Sequence, residues 1–165
     1  MSLKIIHTAD WHLGQTFFGY DRDEEHEAFL SWLIDILTLR QTDVLLIAGD
    51  VFDVANPSAA AQRRFFRFLR EANRHNPQLQ IVIIAGNHDS AARLEAPIPL
   101  LEELNTSIVG VVPRTDLCKI DFDSLLIPLY NKEGKREAIC LAVPYLRQGD
   151  YPASKEGKDT YVEGV

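Results

Sequence analysis

The chain has 165 residues, of which 46% are hydrophobic, so it is long enough to form one domain with a substantial core. Its formal net charge of −7 argues against a protein that holds nucleic acid on a generally basic surface, although bound metal ions would neutralise part of that charge. The sequence has no apolar run of about 18 residues or more and no signal-peptide pattern, so we expect no membrane-spanning helix. Cys118 and Cys140 form neither a CxxC pair nor a disulfide framework, which favours the cytoplasm.

Strands and helices are predicted to alternate along the first two thirds of the chain. Apolar runs predict strands at residues 4–8, 44–48, 79–85 and 108–112. Helical spacing of apolar residues predicts one helix that ends near Leu39 and a second that extends from an Asn56-Pro57 cap to about Arg74. A third helical stretch, over residues 91–104, is interrupted by Pro97 and Pro99. This order predicts an α/β fold.

Two further strands are expected beyond these elements. Residues 124–129 and 138–143 have strand-like patterns, and the polar residues 131–136 between them predict a turn.

Polar side chains follow three of the predicted strands directly. Asp10 and His12 follow the first strand, Asp50 the second, and Asn87 and His88 the third. Because ligands collect at the carboxyl ends of parallel strands, we expect these side chains to converge. Two carboxylates, an amide oxygen and imidazoles suit divalent manganese, iron or zinc, and the set indicates metal-assisted hydrolysis.

Each motif also has an ordinary structural interpretation. An acid two residues before a histidine is common, although an extended backbone would point Asp10 and His12 to the same side. Gly49-Asp50 is a frequent strand-to-helix turn, and Asp89 or Ser90 would suit the N-cap of the next helix. The occurrence of all three motifs in this order is what makes the pattern specific.

With these residues the sequence resembles the calcineurin-like metallophosphoesterases, whose pattern is D-x-H, G-D-x-x-D and G-N-H-[ED]. Residues 7–15, 48–53 and 85–90 are more narrowly similar to the SbcD family of bacterial nuclease subunits. The resemblance implies mixed β-sheets flanked by helices, in an incomplete four-layer αββα arrangement. It also implies that residues 1–165 are the N-terminal part of the nuclease domain, with the C-terminal part absent.

The resemblance further implies a role for each matching residue. Asp10 and His12 would bind a first divalent metal ion, Asp50 would bind both ions, and Asn87 would bind the second, with manganese the expected metal. His88 would face the leaving oxygen as an acid or an electrostatic group and would not be a metal ligand, and Asp53 would keep that imidazole protonated and correctly turned.

The family resemblance also implies partners. They are DNA, an SbcC-type ATPase that uses the ATP, and a second copy of this chain. The homodimer contact is expected on the second helix, which carries a surplus of Phe residues, and on residues 91–104. The alternative for the surplus Phe residues is burial in the chain's own core. The arginines of the second helix are interpreted as a solvated face, with phosphate contact as the alternative.

The later part of the chain departs from the family pattern. The family has three more histidines in two later motifs, whereas this sequence has none after His88. We therefore expect the 165-residue chain alone to have little or no nuclease activity. The alternatives to a DNA exonuclease and single-strand endonuclease are a phosphomonoesterase or cyclic-nucleotide phosphodiesterase, and a non-catalytic domain that binds DNA ends or a partner.

Overall fold

The computed structural model describes residues 2–116, 119–147 and 150. In chain order its strands are β1 (Ile5–Thr8), β2 (Thr16–Phe17), β3 (Tyr20–Asp21), β4 (Val44–Ala48), β5 (Gln80–Ile84), β6 (Thr106–Val109), β7 (Arg114–Asp116), β8 (Lys119–Ile120), β9 (Leu126–Tyr130) and β10 (Arg136–Leu141). Its α-helices are α1 (Asp23–Leu39), α2 (Ala59–His75), α3 (Ala91–Glu95) and α4 (Ile98–Leu101).

A parallel sheet of four strands organises the chain. Its strand order is β1-β4-β5-β6, and each neighbouring pair is parallel. β4 and β5 are central and largely buried, whereas β1 is an edge strand that alternates between exposed and half-buried residues. The α/β class expected from the sequence is confirmed.

The helices cover one face of this sheet. α1 and α2 pack against the alternate strand residues that face them, and Leu33, Phe65 and Ile83 are fully or almost fully buried there. Leu94 of α3 and Leu101 of α4 join the same core, so α3 and α4 are the broken helix expected from Pro97 and Pro99.

The β9–β10 hairpin covers the opposite face. Val44, Val82 and Val109 of the parallel sheet form a second core there with Leu129 of β9. The result is three layers, in the order helix, sheet and hairpin. In the described part of the chain every α-helix contributes to the first core, so these residues form three layers of the incomplete four-layer αββα arrangement that was predicted.

Several local predictions were wrong. α2 is capped by Ser58, whose Oγ accepts a hydrogen bond from the Ala61 N–H at 3.1 Å, and not by Asn56. The fourth parallel strand starts at Thr106, two residues before the predicted start. The short hairpins β2–β3 and β7–β8 were not predicted, because two- and three-residue strands carry too little periodicity. Cys118 lies outside the described residues.

None of the helices in the described ranges is long and apolar enough to span a membrane.

Candidate metal centre

The loops that follow β1 and β4 run side by side at the carboxyl edge of the sheet. The Asp10 N–H donates to the Gly49 carbonyl at 3.1 Å, and the His12 N–H donates to the Asp50 carbonyl at 3.0 Å. The Leu13 N–H continues this ladder to the carbonyl of Val51 at 2.9 Å. The main chain therefore fixes the first two motifs relative to each other.

Asp10, His12 and Asp50 all have left-handed backbone conformations, with φ of 56°, 47° and 48°. This differs from the extended backbone that the sequence predicted for Asp10 and His12. Left-handed turns on either side of Trp11, and not strand alternation, bring the two side chains together. Such conformations are costly for non-glycine residues and are found where surrounding contacts enforce them.

Trp11 anchors the first motif in the core. It is 5% exposed, and its ring makes edge-to-face contacts with Phe29, Phe65 and Phe68 at centroid distances of 5.7, 6.3 and 5.1 Å. The indole N–H donates to Thr8 Oγ1 at 3.0 Å. Because Trp11 is held in this way, Asp10 and His12 are directed away from the core.

Two glycines let the second and third loops approach closely. A Cβ on Gly86 would lie 2.1 Å from Asp50 Oδ1 and 2.3 Å from the Asp50 main-chain nitrogen. A Cβ on Gly49 would lie 2.9 Å from the Cα of Gly86. Both positions require glycine, because any side chain would push these loops apart.

Asp10, His12 and Asp50 form one cluster in which a ligand atom of each lies within 4.8 Å of the others. His12 Nε2 is 4.0 Å from Asp50 Oδ2, which is beyond hydrogen-bond reach. Neighbouring ligands that each lie roughly 2.0–2.2 Å from one ion are about 3.0–3.6 Å apart, so a small movement of these two side chains would let both bind the same ion. The other oxygen of Asp50 accepts a hydrogen bond from the His88 N–H at 2.9 Å, which orients the carboxylate. The donor set and its spacing therefore fit a divalent metal ion.

Asn87 lies exposed on the loop after β5, next to His88. The loop thus comes to the same edge as the Asp10, His12 and Asp50 cluster, as the His88–Asp50 hydrogen bond shows.

His88, Asp53 and His12 form a second cluster with the same spacing. His88 Nδ1 lies 2.7 Å from the main-chain carbonyl of Asp53, not its carboxylate as predicted. The carboxylate is 3.2 Å from His12 Nδ1, without hydrogen-bond geometry, and accepts a hydrogen bond from Gln15 Nε2 at 3.3 Å. Since a carbonyl can only accept, Nδ1 of His88 carries a proton and Nε2 is left to exchange one.

The surroundings of His88 favour its charged form. The hydrogen bond to the Asp53 carbonyl raises the pKa of His88; desolvation opposes this effect, and the carboxylates of Asp50, Asp53 and Asp89 assist it. A protonated imidazole beside three carboxylates has the charge required of a proton donor.

Residues 3–152 match the calcineurin-like phosphoesterase family. The chain belongs to this family. Its membership and the clustered carboxylates and imidazoles together imply divalent metal ions.

Individual relatives are SbcD subunits of bacterial SbcCD nucleases. The chain is 48% identical over 163 residues to the SbcD subunit of Rhodobacter capsulatus, a match that covers 99% of this chain and 40% of that protein. It is 35% identical over 158 residues to the SbcD subunit of Escherichia coli K12, covering 94% and 36%. For the SbcD subunit of Bacillus subtilis the identity is 39% over 122 residues, covering 74% and 31%. The resemblance to SbcD is therefore confirmed, and the chain spans 40% or less of the length of these three relatives.

Two further residues support the candidate site, although the sequence assigned neither of them a role there. The carboxylate of Asp89 is fully buried and accepts hydrogen bonds from the main-chain N–H groups of Val51, Phe52 and Gly86 at 3.2, 3.0 and 2.9 Å. Of the two residues expected to suit the N-cap of the next helix, Ser90 and not Asp89 occupies that position, without a side-chain cap hydrogen bond. Arg147 donates to main-chain carbonyls of the loop after β5. No motif spacing could have indicated Arg147, because it lies 58 residues from its partner Asp89.

Proposed function

We propose that this chain carries metal-binding residues of a DNA phosphodiesterase that acts as an exonuclease and single-strand endonuclease. The observation that carries the proposal is the convergence of Asp10, His12 and Asp50 at one sheet edge, beside the loop of Asn87 and His88. The similarity to the SbcD subunits of SbcCD nucleases supports DNA as the substrate.

In this proposal Asp10 and His12 hold a first divalent ion, Asp50 contacts both ions, and Asn87 holds the second. Mixed carboxylate, amide and imidazole ligands support manganese as the metal. When bound, the two ions would lower the pKa of the attacking water and neutralise charge on the phosphate.

His88 is the proposed proton donor to the leaving oxygen. The Asp53 carbonyl fixes Nδ1 as a donor, so the Nε2 proton is the one available for transfer. Asp53 thus acts through its main chain on His88, while its carboxylate faces His12 and Gln15. Asp53 is thus still proposed as a positioning residue for His88, but through its main-chain carbonyl and not through its carboxylate.

We further propose that the chain works in the cytoplasm with an SbcC-type ATPase, which uses the ATP, in DNA end processing. The naming of the relatives as parts of an SbcCD nuclease supports the partnership. This chain also has a formal net charge of −7, so general attraction to DNA would have to come from bound metal or from the partner.

Fewer apolar side chains are available for the proposed homodimer contact than the sequence suggested. Phe65, Phe68 and Leu69 of α2 are 2% exposed or less and belong to the chain's own core. Phe66 is only partly buried, and Leu100 on α4 is 77% exposed. These two apolar side chains support a two-fold contact through α2 and residues 91–104.

We also propose that residues 1–165 form the N-terminal part of a larger metallophosphoesterase domain. On β10 and the residues after it, Ile139, Leu141, Val143 and Tyr145 are 56%, 59%, 38% and 51% exposed. Alternate residues of an extended segment share one face, so these four side chains form an apolar strip. Further strands of the same domain would cover it.

The function is tested by DNA cleavage with manganese, using the full-length protein assembled with the ATPase. Linear duplex and circular single-stranded DNA should both be cut, and Asp50→Asn should abolish cleavage, whereas Asp35→Asn on the exposed side of α1 should not affect it. Hydrolysis of p-nitrophenyl phosphate or a cyclic nucleotide without DNA cleavage would favour the alternative phosphatase functions. DNA binding without any hydrolysis would favour a non-catalytic domain.

A further inference from the structure

The segment after β10 lies next to the loop that follows β5, at the sheet edge that carries the candidate metal centre. The Tyr145 N–H donates to the carbonyl of Ala85 at 2.9 Å, immediately before the loop that contains Asn87 and His88. Two residues later, the Arg147 N–H donates to Asp150 Oδ2 at 2.6 Å, which fixes the main chain at that point. The β10 segment therefore lies directly against residues 85–89.

The Arg147 side chain reaches the carbonyls of this loop. Its Nη2 donates a hydrogen bond to the Asp89 carbonyl and lies 3.5 Å from the Asn87 carbonyl. A guanidinium is always charged and presents its N–H donors in a rigid plane, which makes it suited to holding main-chain carbonyls. These contacts act on the carbonyls of the two residues that flank His88 in sequence.

The loop is held on its other side by the Asp89 carboxylate. This buried group binds the N–H of Gly86 within the loop and those of Val51 and Phe52 in the loop after β4. The Asp89 carboxylate therefore links the two loops by hydrogen bonds. Arg147, which follows the β9–β10 hairpin, makes a further hydrogen bond to the loop after β5. Loops that carry functional side chains require such external contacts to keep one conformation.

We propose that Arg147 is a positioning residue of the metal centre, which fixes the loop of Asn87 and His88 by binding its carbonyl groups. The expected effect on catalysis rests on the proposed function, whereas the effect of Arg147 on the conformation of the loop does not depend on it. Through the His88 N–H, the same loop orients the carboxylate of Asp50. Loss of the guanidinium should therefore make the positions of both the proposed proton donor, His88, and the proposed metal ligand Asp50 less well defined.

Amide hydrogen exchange of the metal-free chain tests the structural part. In Arg147→Ala the amides of Gly86 and His88 should exchange about tenfold to a hundredfold faster, since a charge-assisted hydrogen bond no longer opposes opening of the loop. The amides of β5 should not change. Arg147→Lys should give a smaller effect, and millimolar guanidinium should restore protection in Arg147→Ala. The matched control is Arg136→Ala, which removes an exposed arginine at the start of the same strand β10.

Manganese titration tests the consequence for the centre. The dissociation constant should rise about tenfold to a hundredfold in Arg147→Ala, the range for groups that hold metal ligands from behind, and should not change in Arg136→Ala. Unaltered exchange at Gly86 and His88 in Arg147→Ala would overturn the inference. Failure of the wild-type chain to bind manganese, with faster exchange in the variant, would overturn the proposed function and leave the role of Arg147 in holding the loop intact.

Discussion

Three residues of the candidate metal centre have backbone conformations that non-glycine residues rarely adopt. Asp10, His12 and Asp50 have left-handed conformations, and each is fixed by main-chain hydrogen bonds or by the buried Trp11 between the first two. The energetic cost of these conformations is therefore offset by surrounding main-chain hydrogen bonds and by the packing of Trp11. A consequence is that small changes in the supporting residues should affect metal binding.

Gly86→Ala tests this dependence. Because the new Cβ would lie 2.1 Å from Asp50 Oδ1, we expect the free energy of unfolding to fall by about 1–3 kcal/mol or more, and manganese affinity to fall with it. Urea unfolding and calorimetric titration measure the two effects. Gly134→Ala is the control, because a Cβ there meets open space and adds only left-handed strain. Unchanged manganese affinity in Gly86→Ala would show that the close approach is not needed.

His88→Gln separates a proton donor from a metal ligand. The side chain belongs to a cluster with His12 and Asp53 that could itself hold an ion. If His88 is the donor, manganese affinity should survive in the variant while turnover in the assembled complex falls by about 100- to 10,000-fold. Loss of manganese binding would instead assign His88 to the ligands.

At this scale the sequence indicated which residues meet but not how. The motifs indicated that Asp10, His12 and Asp50 would meet, and they do, because the parallel strands β1 and β4 end at the same sheet edge. The contact between His88 and the main chain of Asp53 could not be predicted, since a carbonyl carries no residue identity. Arg147 was missed for a different reason: its position depends on tertiary packing of a distant hairpin.

At the scale of elements, α1 and α2 are joined by ion pairs that the sequence did not predict. Arg64 is 7% exposed, lies 2.8 Å from Asp23 and donates to Glu27 at 3.0 Å. Arg67 also pairs with Glu27. The acidic start of α1 and the arginines of α2 each resemble a solvated face when considered alone. Because the two helices run in parallel from the same sheet edge, their N-terminal halves meet.

Arg64→Ala should lower the free energy of unfolding by about 1–2 kcal/mol, through lost packing of its stem and lost pairing with partners that remain partly solvated. The exposed Arg63→Ala on the same helix should change it by less than about 0.5 kcal/mol. The Arg64 hydrogen bond lowers the pKa of Asp23 below 3.8, so the ionised form stabilises the folded state. That contribution is complete above pH 3.8 and is lost as the pH falls through the lower folded value. Urea unfolding should thus show a smaller difference between Arg64→Ala and wild type in acid, and a constant difference would contradict this pairing.

The main elements could be predicted because their patterns are long and periodic. The strand at residues 44–48 has the predicted bounds, and α1 extends to Leu39 as expected. The N-cap of α2 was displaced by two residues because Asn56, Pro57 and Ser58 all suit a helix start, and only the hydrogen bond from Ala61 distinguishes them. The β9–β10 pairing was expected as two strands around a turn, but not its position over the parallel sheet, which depends on long-range packing.

At the scale of the whole molecule, the apolar strip of Ile139, Leu141, Val143 and Tyr145 is exposed on the outer face of the hairpin layer. Substitution of Ile139 and Leu141 by lysine should reduce self-association and binding of a hydrophobic dye, and should change the free energy of unfolding by less than about 0.5 kcal/mol per site. Sedimentation and dye fluorescence measure these effects. Leu39→Lys is the control, because Leu39 is 75% exposed but lies at the end of α1, apart from the strip. A large loss of stability would show that the strip is already packed within this chain.

Residues 1–165 are proposed to contain an incomplete two-metal centre. We propose three protein ligands for the first ion, namely Asp10, His12 and Asp50, but only Asp50 and Asn87 for the second, and the sequence has no histidine after His88. Three ligands and water hold a transition metal well, whereas a carboxylate and a neutral amide should hold one weakly. Without a second tightly bound ion, one side of the phosphate lacks its clamp.

Calorimetric titration of the 165-residue chain with manganese, beside a nuclease assay on the same preparation, tests the incomplete centre most directly. We predict one site per chain of measurable affinity that Asp50→Asn removes and Asp35→Asn retains, a second site too weak to saturate, and little or no DNA cleavage. Two tight sites per chain, or robust manganese-dependent cleavage by these 165 residues alone, would contradict it.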